Sequence, residues 1–125
     1  MREILFRGQR FDGVWFEGYF FAKPILEKYF IIIGEDQYMV KPETVGQYTG
    51  LIDKNGLKIF EGDIVTIPDS KKMGLPALIR YDYVRATFEV SRSGYNPLSL
   101  IDAREFYEVI GNIHDNPELL KEGGE

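Results

Sequence analysis

The sequence predicts a mainly β protein: a C-terminal SH3-like barrel, an N-terminal β-rich part and short helices. Three observations predict it. Apolar residues recur with period two more often than 3.6. Eight Tyr and nine Phe supply the large, strand-favouring side chains. Gly, Asn and Asp punctuate the apolar runs at short intervals, most densely in "QYTGLIDKNGLKIFEGDIV" (Gln47–Val65).

Each element follows from its residues. "REILFRG" alternates loosely and reads as a first strand, and "GVWFEGYFFA" (Gly13–Ala22) as a second. The Gly-containing "QRFDG" joins them as a hairpin. In "AKPILEKY", Pro24 suits the first turn of a short helix that places Ile25, Leu26 and Tyr29 on one face. "YFIIIG" and "QYMVK" flank the turn residues "GEDQ" as a second hairpin. "VGQYTGL" and "LKIF" flank "DKNG", where Asn55 and Gly56 are expected at positive φ. Gly62 and Asp63 then bend the chain into the β-branched "IVTI". "PDSKKMGLP" (Pro68–Pro76) reads as a polar loop, and "ALIRYDY" and "ATFEVS" as strands joined by a tight turn near Tyr83–Arg85. "RSGYNPLSLIDA" is a longer connection. "EFYEVIGNI" is a last strand with Phe106, Glu108, Ile110 and Asn112 on one side. "HDNPELLKEG" is a short helix, with Asp115 or Asn116 as cap and Pro117 at its first position, and the tail "EGGE" is expected to fray.

The division expected is a β-rich part over residues 1–46 and a barrel over 47–125. Closing a sheet of short strands removes exposed edges. Its core is expected to draw on Ile64, Val65, Leu78, Ile79, Phe88, Val90, Val109 and Ile110, of which adjacent pairs cannot all face inward.

Composition excludes several classes of chemistry. With no cysteine, there is no disulfide, thiolate zinc site or thiol nucleophile. The start "MREILFRGQR" mixes charges among apolar residues and does not resemble a signal peptide, and "YFIII" is too short to span a membrane, so a cytoplasmic place is expected. Net charge is −5, with seven acidic and two basic residues in 102–125 against four and five in 1–30. That balance disfavours a phosphate backbone, except against the nearly neutral N-terminal part.

Catalytic and metal motifs find weak support. Both phosphate-binding glycine patterns, G-x-x-x-x-G-K-[ST] and G-x-G-x-x-G, are missing. "DKNG" has the start of a calcium loop, but the twelfth position from Asp53 is Ile64 rather than Glu. Glu61 and Asp63 can share one side of a strand as paired carboxylates, yet Gly62 between them favours a turn in which Asp63 accepts backbone N–H groups. His114 is the only histidine, and neither Ser91, Ser93 nor Ser99 sits in a G-x-S-x-G elbow, so His114 is read as part of the helix start. No enzyme and no cofactor are expected. Asp53, Asn55, Gly56, Gly62 and Asp63 are read as architectural turn residues.

The aromatic stretch "WFEGYFF" is apolar on both faces: Trp15, Tyr19 and Phe21 on one, Val14, Phe16 and Phe20 on the other. A strand with one solvated face has no need of that. Three readings follow: packing between layers of the chain, packing against another subunit, or stacking platforms for nucleobases with Arg2, Arg7 and Arg10 nearby. Trp15, Tyr19, Phe21, Arg7 and Arg10 are therefore the candidate interface, with Trp15 expected to be covered by a second copy or by the barrel.

Three segments also carry a resemblance: "MREILFRG", "QYTGLIDKNGLKIFEGDIV" and "YEVIGNIHDNPELL", in that order, over roughly a third of the chain. Together they resemble the YopX proteins of bacterial phages and prophages. After Arg7 the chain departs from that pattern with "GQRFDG". The resemblance implies a bacterial cytoplasm and a mobile-element origin, and carries over no catalytic residue. The function expected is a non-enzymatic interaction module that self-associates and binds a host or phage protein. Nucleic-acid binding through the N-terminal aromatic and Arg surface is the alternative.

Overall fold

The structure, a computed structural model, describes residues 3–69, 72–92, 97–100 and 107–120. Arg2, Ser93, Phe106 and the tail 121–125 lie outside them. The protein is mainly β, with two antiparallel sheets. The chain divides into two compact units, Met1–Gly50 and Leu51–Glu125.

The first unit holds β1 (Phe6–Gln9), β2 (Trp15–Lys23), β3 (Lys28–Ile33), β4 (Asp36–Val40) and most of β5 (Gly46–Ile52), in the order β4-β3-β2-β1-β5. Two of its turns are set by glycine. In the β1–β2 loop, Gly13 has φ 96° and donates its N–H to Arg10 O, while Arg10 N–H donates to Val14 O. This is a type I turn followed by a left-handed residue, which closes a three-residue hairpin loop. Between β3 and β4, Gly34 (φ 62°) takes the first place of a two-residue loop, with Ile33 opposite Asp36. Pro24–Leu26 forms a single 3-10 turn, ended by Glu27 at φ 55°. The expected helix with a shared apolar face is thus corrected: Tyr29 belongs to β3, and Ile25 and Leu26 are exposed.

The sheet curls on the face that carries Phe16, Phe20 and Tyr38. Gly8 and Gly18 lie there among Ile31 and Val40, both buried. A Cβ on Gly18 would clash with Ile32 O, and one on Gly8 would stand 2.8 Å from Val40 Cγ2. The curl brings the end of β4 to the end of β1, where Lys41 N–H donates to Gln9 O. Thr44 Oγ1 accepts from Gln9 N–H and donates to Lys41 O, and Gln9 Nε2 donates to Gly13 O. These bonds satisfy the polar groups of a buried glutamine and threonine.

In the second unit the last residues of β5 lead into β6 (Lys58–Phe60). There follow β7 (Asp63–Asp69), β8 (Lys72–Asp82), β9 (Thr87–Ser91), β10 (Leu98–Ser99) and β11 (Glu108–Asn112), paired in the order β10-β9-β8-β7-β11. This is an open antiparallel order, and no pairing closes it into a barrel among the described residues. Ile59, Val65, Ala77, Ile79, Val90, Leu100 and Tyr107 form the core, with Leu51, Phe88 and Val109 packed against it. Burial pushes the Tyr107 phenol above its ordinary pKa.

Two expectations are corrected here. "PDSKKMGLP" is not a loop: β7 and β8 run on to pair Asp69 with Lys72, with the register shifting between Ile67 and Asp69, around Pro68. A bulge tolerates a proline that a regular ladder does not. Ile110 is not a core residue. The ladder shifts between Val109 and Gly111, so the extra residue is turned outward and exposed.

Gly18→Ala is expected to destabilise the protein by about 2 kcal/mol, because its Cβ meets a backbone carbonyl that cannot step aside. Urea denaturation followed by circular dichroism measures it.

Candidate functional site

Two places merit description: the outer face of the β2–β3–β4 sheet, and the Asp53 turn. The first is fixed by register. Tyr19 lies opposite Ile32, Phe21 opposite Phe30 and Lys23 opposite Lys28; Phe30 in turn lies opposite Met39, and Ile32 opposite Gln37. Alternation therefore puts Trp15, Glu17, Tyr19, Phe21, Phe30, Ile32 and Met39 on one face. It is open: Tyr19 is 69% exposed, and Phe21 and Met39 each 42%. The Phe21 and Phe30 rings lie 6.2 Å apart, with Lys23 Nζ 6.0 Å from the Phe30 centroid. Beyond them the 3-10 tip exposes Ile25 almost entirely and Leu26 by more than half.

The opposite face is where the aromatic rings meet one another. Phe16 stacks on Tyr38 at 4.0 Å, Phe20 on Tyr29 at 5.9 Å, and Phe6 lies 5.4 Å from Phe20. Both apolar faces of β2 thus have an account: one packs within the unit, the other is largely left to solvent.

The candidate residues separate accordingly. Arg7 shares the open face, with its guanidinium carbon 4.9 Å from the Trp15 centroid, so Trp15 is partly buried beneath a cation. Arg10 goes to the other face, 5.2 Å from the Phe16 ring, and forks onto Asp12 at 2.9 and 2.7 Å. That pair holds the Asp12 carboxyl below its ordinary range and raises Arg10. Sequence reasoning missed Phe30, Met39 and Leu26, since "KYFIII" shows no alternation and only the pairing with Phe21 assigns its faces.

The Asp53 turn is architectural. Asp53 is 1% exposed. Its Oδ1 accepts from Asn55 and Leu57 N–H, each at 2.8 Å, and its Oδ2 accepts from Val109 N–H at 2.9 Å. Gly56 has φ 86° and donates its N–H to Asp53 O, and Asp53 N–H donates to Leu57 O. This repeats the geometry of the Arg10–Val14 loop. Asn55 is corrected: only Gly56 takes positive φ, because a type I turn with a glycine bulge needs one left-handed residue where a type I′ turn needs two. Asn55 Nδ2 instead points to Glu108 Oε2 at 3.4 Å. Gly62 has φ 96° and donates to Ile79 O, while buried Asp63 accepts Phe60 N–H at 2.8 Å. His114 N–H donates to Asn112 Oδ1 in the turn before the Pro117–Leu120 3-10 segment.

Other chemistry is sparse. Among the described residues no three His, Asp or Glu side chains converge. No helix among them is long and apolar enough to cross a membrane. A groove of about 580 Å³ at the β8–β9 turn is lined by Arg80, Asp82, Tyr83, Arg85 and Glu89. Both its arginines are engaged, Arg80 with Glu89 at 2.7 Å and Arg85 with Asp82 at 3.9 Å.

Comparison with known families adds one decisive match: the family described as YopX protein matches residues 22–121. The chain belongs to the YopX family. The match spans the β2–β3 tip, the Asp53 turn and β11, while Arg7, Trp15, Tyr19 and Phe21 of the open face precede it. The YopX chain is also similar to the crystal structure of protein EF1440 from Enterococcus faecalis, at 25% identity and a TM-score of 0.61, covering 96% of this chain and 99% of that one. No curated protein matches.

Asp53→Ala is expected to cost roughly 2–4 kcal/mol, since three backbone N–H groups lose a charged acceptor. Gly56→Val in the same turn should cost roughly 1 kcal/mol or more through its positive φ. Urea midpoints of the two variants, compared with wild type, check both.

Proposed function

We propose that this YopX protein is a non-enzymatic interaction module of phage or prophage type, working in the bacterial cytoplasm, which self-associates and binds a protein partner through the open face of its first unit. The observation that carries the proposal is the cluster of Tyr19, Phe21 and Met39, exposed on one sheet face beside the Ile25–Leu26 tip. Exposed apolar side chains gathered on one face, with aromatic residues among them, mark protein interfaces. The second unit supports an SH3-like reading in its strand order: a meander from β7 to β10, with β11 returning beside β7.

A second reading keeps one observation in its favour. Tyr19 is open enough to stack on a base, and Lys23 and Lys28 lie nearby for phosphates. Fluorescence anisotropy with single-stranded oligonucleotides at low salt separates the two; binding that weakens steeply with salt favours nucleic acid.

Light scattering on a size-exclusion column tests the main proposal. The wild type is expected to elute with a mass above the 14.5 kDa of one chain. Tyr19→Ser combined with Phe21→Ser is expected to shift it to monomer with the β circular dichroism spectrum intact. A wild type that stays monomeric at high concentration removes self-association from the proposal.

A further inference from the structure

The open face has a polarity along β2 that its apolar centre conceals. Reading the outward residues in order gives Trp15, Glu17, Tyr19, Phe21 and Lys23. One end is acidic: Glu17 is exposed, and the β3–β4 turn carries exposed Glu35. Arg7, which lies opposite Glu17 across the β1–β2 pair, is turned onto the Trp15 ring with its Nε and Nη2 buried. The other end is basic: Lys23 lies directly across from Lys28, both exposed. Between the two ends lie Tyr19, Phe21, Phe30, Ile32 and Met39.

The pattern is symmetric about Phe20. Glu17 and Lys23 lie three residues either side of it, and Tyr19 and Phe21 one residue either side. We infer that the occupant of this face is a second copy of the same chain, packed about a two-fold axis at the level of residue 20, so that Tyr19 of each copy lies on Phe21 of the other and Glu17 of each meets Lys23 of the other. This inference rests on the self-association reading above and assigns it a surface and a register.

Two arguments favour a second copy over an unrelated partner. The first is charge: an acidic and a basic end at equal distances from the centre neutralise each other only under a two-fold rotation, which is the relation of an isologous dimer. Both charges are at the rim, where such pairs set register and exclude wrong partners. The second is area. Tyr19, Phe21, Met39, Ile25 and Leu26, at their observed exposures, offer roughly 500–600 Å² per copy, taking about 150–250 Å² for a large side chain. Two such faces with their charged rims reach about 1,200 Å², the lower bound of stable interfaces. The two lysines facing each other across β2 and β3 also discourage a second copy in the parallel orientation, which would gather four of them together.

Charge reversal tests the inference. Glu17 and Lys23 are both exposed, so Glu17→Lys and Lys23→Glu leave the core untouched. Sedimentation velocity would be run on the wild type, on each single variant, on the two singles mixed in equal amounts and on the double variant. Each single variant is expected to dimerise about tenfold or more weakly, since both rim contacts become repulsive. The mixture restores dimers, because pairing unlike variants makes both contacts attractive, and so does the double variant. Dimeric wild type with undiminished single variants, or a mixture no tighter than its components, overturns this register while leaving self-association standing. Monomeric wild type overturns the inference together with self-association.

Discussion

The second unit depends on one carboxylate. Asp53 closes its own turn through Asn55 and Leu57 and, with its other oxygen, takes the N–H of Val109, a residue 56 positions away. Lys54 N–H reinforces the link by donating to Tyr107 O. The hairpin that begins the unit is thereby fastened to the strand that ends it. The same stretch places both Ile59 and Tyr107 within the core. A buried acid usually costs stability; here three backbone N–H groups replace the water it gives up. A neutral side chain does not fit: an amide has one acceptor oxygen, and a serine cannot span two donors in the turn and a third on β11.

This constraint was half legible in the sequence. "DKNG" announces a turn because Gly tolerates positive φ, and Gly56 sits as expected. The turn type was not legible. Asn-Gly suits two left-handed residues, but Asp53 supplies a competing acceptor for Asn55 N–H, and a three-residue loop with a single left-handed glycine results. The reach to Val109 leaves no local trace, since hydrogen bonds between distant backbone groups depend on tertiary approach. Ile110 failed for a related reason: strict alternation through "YEVIGNI" assumes a regular ladder, and the shift at Val109/Gly111 has no signature beyond the glycine itself.

The face on the first unit divides similarly. Within β2 the period-two rule correctly groups Trp15, Tyr19 and Phe21, because one strand alternates without help from its neighbours. Across strands it says nothing. Phe30 and Met39 join the face through the pairing of Phe21 with Phe30 and Phe30 with Met39, a matter of register. Arg10, near Arg7 in sequence, is carried to the other face by its ring contact with Phe16 and its fork onto Asp12. The two-sided apolarity of β2 signalled something real, and Gly8 and Gly18 explain it: they let one face curl closely enough for Phe16 to stack on Tyr38 while its reverse stays open.

The position of Trp15 makes the molecule its own reporter. It is the chain's only indole, and it lies in the first unit beneath Arg7. Light at the red edge of absorption therefore excites the first unit alone, while the peptide signal of the far ultraviolet averages over both. Optical probes of this protein divide along the same line as its chain. Whether the halves lose their structure in one cooperative step or in two is written in the coincidence, or separation, of those two signals.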